Sequence, residues 1–213
     1  MQKKDHSASG IRADQIQDCG ETKVSFSAIW KDLVERDPWY AEHHRFGMAG
    51  EGQANVIEKC LGGKRGRVLN IGCGPWGAQI NKLATFCKFL VAADKSWSHI
   101  TEAKMEARTK RIAFLQAKAE HIPFADNSFD HILALGLFAE IPEPLRRQVF
   151  SELYRVCRPI GNVMVTNAIM RPKEQHIAVG LQVGLRLLQD HEGHCKAASG
   201  DVKLRYLLLF AKR

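Results

Sequence analysis

Apolar residues recur along this chain in two alternating rhythms. Short apolar runs rich in β-branched residues read as buried strands: VLNIG (68–72), FLVAAD (89–94), IAFLQA (112–117), DHILALG (130–136) and NVMVTN (162–167). Helical patterns lie between them. AQINKLATFC (78–87) brings Ile80, Leu83, Ala84 and Cys87 to one face, and residues 97–110 form a charged amphipathic helix. PLRRQVFSELYRVC (144–157) turns Leu145, Val149, Leu153 and Val156 inward, and EQHIAVGLQVGLRLLQ (174–189) predicts a last helix. Alternating strands and helices imply a parallel sheet covered on both faces. HCKAAS (194–199) and KLRYLLLFAKR (203–213) are joined by Gly200-Asp201 with no helix between, so they are expected to pair as an antiparallel hairpin. The predicted fold class is α/β, a doubly wound and mostly parallel sheet ending in an antiparallel strand.

The first third of the chain reads differently. Residues 1–24 are polar and aperiodic, which predicts a mobile arm. SFSAIWKDLVER (25–36) spaces Phe26, Ile29, Trp30, Leu33 and Val34 as a helix, and Asp37-Pro38 ends it. EGQANVIEKCL (51–61) predicts a second helix, stopped by Gly62-Gly63. The expected organisation is a polar arm (1–24), a helical cap (25–63) and one α/β domain (64–213).

Composition narrows the setting. The chain has 213 residues, 45% hydrophobic and 25% charged, as in a globular protein. No apolar run approaches the roughly 20 residues of a membrane helix. The start MQKKDHSASG lacks the apolar core of a secretory signal. Six cysteines are scattered without a C-x-x-C pair, which predicts a reducing, cytoplasmic setting and no disulfide framework. The net charge of +8 is spread along the chain, which reads first as a solvated basic surface and makes nucleic acid an alternative but not a favoured partner.

The chemistry concentrates after the first strand. VLNIGCGPWG (68–77) spells G-x-G-x-x-G with Gly72, Gly74 and Gly77. Asp94 ends the second strand about twenty residues on, a spacing that lets its carboxylate take both hydroxyls of a ribose. In a doubly wound sheet both features point into the crevice at the carboxyl ends of the strands. Nicotinamide proteins and adenosylmethionine proteins both use this arrangement, so loop and acid alone leave the cofactor open.

Further motifs in order carry a resemblance. VLNIGCGPWG, QAKAEHIPFADNSFDHILAL (116–135) and ELYRVCRPIGNVMVT (152–166) resemble three motifs of the class I S-adenosylmethionine-dependent methyltransferases, in particular the small-molecule group called methyltransferase type 11. The resemblance covers about residues 65–213 and implies a seven-stranded Rossmann-like sheet. It also implies S-adenosyl-L-methionine as cofactor, S-adenosyl-L-homocysteine as product and a small-molecule acceptor. By resemblance, Gly72, Cys73 and Gly74 lie against the methionine part and ribose, and Asp94 binds the ribose hydroxyls. Lys95 flanks the adenine, Ala119 and Glu120 border its edge, and Leu135 and Gly136 line the cleft near the sulfonium.

Three positions depart from the family pattern. Asn70 stands where an acid usually fixes the cofactor's amino group, and it accepts a hydrogen bond without adding charge. Lys118 stands where an aspartate usually accepts from the adenine amino group, and an ammonium only donates. Trp76 takes the place of the motif's third glycine. These departures motivate a degenerate, non-catalytic binding protein as an alternative, beside RNA or protein methyl transfer. A literal G-x-G-x-x-G also motivates a nicotinamide oxidoreductase, but the motifs at 116–135 and 152–166 have no role there.

Methyl transfer needs alignment of nucleophile, methyl and sulfur, and a base only when the acceptor must lose a proton. Glu140, after the fourth strand, is the candidate base or substrate contact. Tyr40, His43, His44 and Phe46, in WYAEHHRF (39–46), are candidates to fold over the cofactor. The acceptor site is expected to be open, completed by residues 1–50, or completed by a second subunit in a homodimer. HEGHC (191–195) is not H-E-x-x-H and straddles a predicted helix end, so no metal site is assigned.

Overall fold

In a computed structural model, the description covers residues 57, 66–168, 173–196 and 202–212. Seven strands form one sheet: β1 (Arg67–Ile71), β2 (Phe89–Asp94), β3 (Ile112–Gln116), β4 (Phe129–Leu135), β5 (Cys157–Ala168), β6 (Leu185–Lys196) and β7 (Val202–Lys212). Their order is β3-β2-β1-β4-β5-β7-β6. The first five are parallel, and β7 runs antiparallel between β5 and β6. Strand order reverses between β1 and β4, which opens a crevice at their carboxyl ends.

Helices cover both faces, and the period-two alternation of the strands explains how. Leu69 and Ile71 of β1, with Ile132 and Ala134 of β4, face α3 (Glu143–Val156) through Val149, Phe150, Leu153 and Val156. Val68 of β1 and Leu133 of β4 face α1 (Gly77–Phe86) and α2 (Trp97–Met105) through Ile80, Leu83, Ala84, Ile100 and Ala103. Truncating any of these buried large side chains to alanine is expected to cost about 2–5 kcal/mol. Of residues 1–65 only Ile57 is described; it is helical, fully buried and part of the α1–α2 cluster. The polar arm and the rest of the cap therefore lie outside the described residues.

Three element boundaries differ from the sequence reading. The helix predicted over 174–189 is α4 (Lys173–Gln182) followed by the start of β6. Gly184 adopts φ +97 there, a left-handed stop that ends the helix. LRLLQ then pairs with β7 from Leu185↔Lys212 onward, because a short apolar run does not distinguish helix from strand. HEGHC accordingly lies inside β6 instead of straddling a helix end. The charged helix predicted over 97–110 stops at Met105. β5 begins at Cys157, five residues early, and its pairing with β4 shifts register between Phe129↔Cys157 and His131↔Asn162.

Candidate cofactor and acceptor site

The glycine loop is tied to the end of β2. Gly72 and Gly74 adopt φ of +70 and +61, which a residue with a Cβ rarely does. The Gly72 and Cys73 N–H groups both donate to the Ala93 carbonyl, at 2.8 and 3.0 Å. The Gly74 N–H donates to Asp94 Oδ2 at 2.9 Å. Asp94 Oδ1 accepts from the Ser96 N–H at 2.9 Å and lies 3.3 Å from His99 Nδ1. Burial pushes the Asp94 carboxyl upward in pKa, but the His99 contact and the two backbone donors outweigh burial and hold it below the usual carboxylate range. The same contact raises His99 above its ordinary value against the opposing effect of burial. Asp94 is thus an ionised, buried carboxylate, with one oxygen on each loop.

Beside it, Asn70 is 1% exposed, and neither its Oδ1 nor its Nδ2 has a hydrogen-bond partner. Leaving both ends of a buried amide unmade is costly.

Two side chains cover the glycines. A Cβ on Gly74 would meet the Trp76 indole at 2.7 Å (Nε1) and 2.8 Å (Cδ1). A Cβ on Gly72 would meet Leu137 Cδ1 at 2.7 Å. Trp76 caps the start of α1 without a side-chain cap bond, so its indole folds back over the loop it follows. Leu137 opens the short 3-10 turn Leu137–Ala139 after Gly136, whose φ is +71. The Gly136 N–H donates to the Thr166 carbonyl at 2.9 Å and lies 3.2 Å from Thr166 Oγ1, which fixes this turn to β5.

The stretch after β3 is clamped from α3. Glu152 Oε2 accepts from the Ile122 N–H at 2.7 Å. Arg155 donates to the Ile122 and Phe124 carbonyls, to Asp126 and to Glu152, all at 2.7–2.9 Å. The Ala117 N–H donates to the Asp94 carbonyl at 2.9 Å, and Gln116 Nε2 to the Lys95 carbonyl at 3.0 Å. Ala119 is therefore held near the end of β2, buried, and the Glu120 carbonyl accepts from Gln148 at 3.0 Å. Lys95 and Lys118 are exposed.

Asn70, Gly72, Cys73, Gly74, Trp76, Asp94, Leu135 and Gly136 lie at or just beyond the carboxyl ends of β1, β2 and β4, where strand order reverses, and 117–120 follow β3. Glu140 is exposed at the end of the 3-10 turn. Tyr40, His43, His44 and Phe46 lie outside the described residues. Leu137 and His99 were not anticipated from the sequence. Leu137 looked like any strand-end apolar residue, and His99 sits on a helix whose spacing gives no hint that it turns back to Asp94. Cys73, Cys87 and Cys157 are free and buried, and burial pushes the Cys87 and Cys157 thiols up to about 12 and the Cys73 thiol higher still. None of the three offers a thiolate near neutral pH. Among the described residues no group of three His, Cys, Asp or Glu could hold a metal ion.

This arrangement, a glycine loop and a strand-end acid at the switch point of a seven-stranded sheet with an antiparallel β7, is that of a methyltransferase domain, and residues 69–165 match the methyltransferase domain family. The chain is similar to the class I S-adenosylmethionine-dependent methyltransferases. It is 28% identical to methyltransferase GfsG of Streptomyces halstedii over 165 residues, covering 73% of this chain and 54% of that protein. It is 28% identical to a phosphatidylethanolamine N-methyltransferase of Cereibacter sphaeroides over 156 residues, covering 70% of this chain and 74% of that one. N-methyltransferase NodS of Bradyrhizobium japonicum has the same fold, with TM-score 0.65 at 18% identity, covering 76% of this chain and 94% of that one. The chain thus spans about half the length of the Streptomyces relative.

The family's cofactor is S-adenosylmethionine, and the polar groups here fit it. A zwitterionic ligand end offers both a donor and an acceptor to the orphaned Asn70 amide, and Asp94 offers lone pairs to hydroxyls. The apolar cover by Trp76 and Leu137 consists of side-chain atoms that rotamer changes can move.

Proposed function

We propose that this protein transfers a methyl group from S-adenosylmethionine to a small-molecule acceptor. The observation that supports it most is the Asn70 amide, fully buried with both ends unmade, at the foot of a glycine loop held by Asp94. Buried polar groups are ordinarily hydrogen-bonded, and in this reading the cofactor completes the amide. The cofactor supplies the activated methyl and the leaving group, so the chain's own work is binding and alignment.

In this reading Asn70 takes the amino-acid end of the cofactor, and Gly72, Cys73 and Gly74 admit it against the backbone. Asp94 takes the ribose hydroxyls, Lys95 flanks the adenine, and Ala119 and Glu120 border its edge. Exposed Lys118 adds no acceptor to the adenine amino group. Leu135 and Gly136 line the approach to the sulfonium, and Trp76 and Leu137 move aside on binding. Glu140 remains the candidate base or acceptor contact, and Tyr40, His43, His44 and Phe46 the candidates to cover the acceptor. Relatives named for phosphatidylethanolamine, sterol and quinone methylation support the small-molecule class.

Calorimetric titration with S-adenosylhomocysteine tests the reading. The full chain is expected to bind, and Asp94→Asn to bind about ten- to a hundredfold more weakly, the range for a hydrogen bond to a charged group. Binding unaffected by Asp94→Asn would sink the assignment. A second reading, a member of the fold that no longer binds the cofactor, is favoured by the Trp76 and Leu137 cover. It predicts no heat of binding in the wild type.

A further inference from the structure

Arg146 is the charged side chain that the cofactor site does not use. It lies in the first turns of α3 and is 3% exposed. Its Nε donates to the Ile141 carbonyl at 3.4 Å and its Nη1 to Gln175 Oε1 at 3.5 Å, both at the long limit of a hydrogen bond. Its Nη2 is fully buried with no partner. Among the described residues no carboxylate forms an ion pair with it. A guanidinium carries five donors and cannot shed its charge, and among the described residues two long bonds to neutral oxygens are its only side-chain hydrogen bonds.

Its two partners lie on segments that follow the carboxyl ends of β4 and β5. Ile141 follows the 3-10 turn that leaves β4, and Gln175 lies in the first turn of α4, after β5. Leu137 covers Gly72, its neighbour Phe138 packs on the His176 ring at 5.0 Å between centroids, and Gln175 precedes His176. Gln175 itself is exposed, and its contact with Nη1 is at the long limit of a hydrogen bond.

We propose that Arg146 is an oxyanion-binding residue of the acceptor site, and that the methyl acceptor carries a carboxylate or a phosphate. A planar fork of donors matches either group in a bidentate pair, which replaces the long contact to Gln175 with charge-assisted ones. The term acceptor rests on the methyl-transfer reading above; the oxyanion site does not.

The test measures thermal unfolding of the full chain against inorganic phosphate and against acetate, with sodium chloride holding ionic strength constant. The wild type is expected to gain Tm saturably with one of the two, and which one acts separates a phosphate-bearing acceptor from a carboxylate-bearing one. Arg146→Met is expected to lose that response and, without anion, to melt at or above the wild type, because an apolar chain of similar length replaces an unpaired buried charge. Arg146→Lys keeps the charge without the fork, and its half-saturating anion concentration is expected to rise about tenfold or more. A wild type indifferent to both anions overturns the proposal, as does an Arg146→Met response equal to the wild type. If Arg146→Met does not fold, Arg146→Lys decides, and an unchanged midpoint there overturns it. S-adenosylhomocysteine titration of the same samples separates the two ideas. Cofactor binding without an anion response removes only the oxyanion site, and an Arg146-dependent anion response without cofactor binding removes only the methyl-transfer reading.

Discussion

Trp76 stands where the glycine motif calls for a small residue, and the structure turns its indole back onto Gly74. The indole therefore packs against the backbone of its own loop, and in the methyl-transfer reading it stands in the cofactor's way. Binding then requires the fraction of molecules in which the indole has swung away, and apparent affinity falls by that fraction. Trp76→Ala is expected to bind S-adenosylhomocysteine about fivefold or more tightly than the wild type. Loss of affinity in that variant would mean that the indole contacts the ligand instead of excluding it. The neighbouring Asp94–His99 pair gives the loop a pH dependence. His99 has its folded pKa raised, so its contribution to stability is complete below the unfolded value of 6.5 and is lost as pH rises through the folded value. Asp94 has its folded pKa lowered, so its contribution is present above the unfolded value of 3.8 and is lost as pH falls through the folded value. The Tm difference between wild type and His99→Gln is accordingly expected to be largest in mild acid below pH 6.5 and to shrink at alkaline pH. A difference that grows with pH would contradict the assigned contact.

Among the elements, α3 explains why ELYRVC is spelled as it is. Glu152 and Arg155 face the segment after β3 and satisfy its backbone at Ile122 and Phe124, so the motif clamps a loop and performs no chemistry. Sequence showed that the motif mattered, but not to which loop it was joined, because the partners lie about thirty residues away. The irregular start of β5, which follows, holds a strained residue. Ile160 has φ +60 and is 85% exposed. A left-handed β-branched residue is strained, and this one recovers little burial in return. Ile160→Gly is expected to stabilise the protein by about 0.5–1 kcal/mol after the entropic cost of glycine, roughly 1–4 °C in Tm. Thermal unfolding measures it, and an unchanged or lower Tm would show that the backbone at Ile160 is not strained. The end of α4 was misread for a related reason. GLQVGLRLLQ has apolar spacing compatible with a helix, and only pairing with β7 draws Leu185 onward into a strand.

At the scale of the whole molecule, the five parallel strands, the order of motifs and the glycine loop with Asp94 were legible in the sequence. Buried parallel strands are continuous apolar runs, and a cofactor crevice at their carboxyl ends follows from connection rules alone. The basic balance of +8 identified no partner, since charge spread along the chain has no address until it is folded. Among the described residues no helix is long and apolar enough to cross a membrane. What the sequence determined by itself is local or periodic: strand and helix alternation, the glycine loop, the acid closing β2. Tertiary structure alone decided the rest. It turned Trp76 and Leu137 over the glycines, left Asn70 without partners, joined His99 to Asp94 and buried Arg146 between the starts of two helices. Each of these depends on which distant surfaces meet, and a side chain's burial and its missing partners are properties of that meeting and not of its neighbours in the chain.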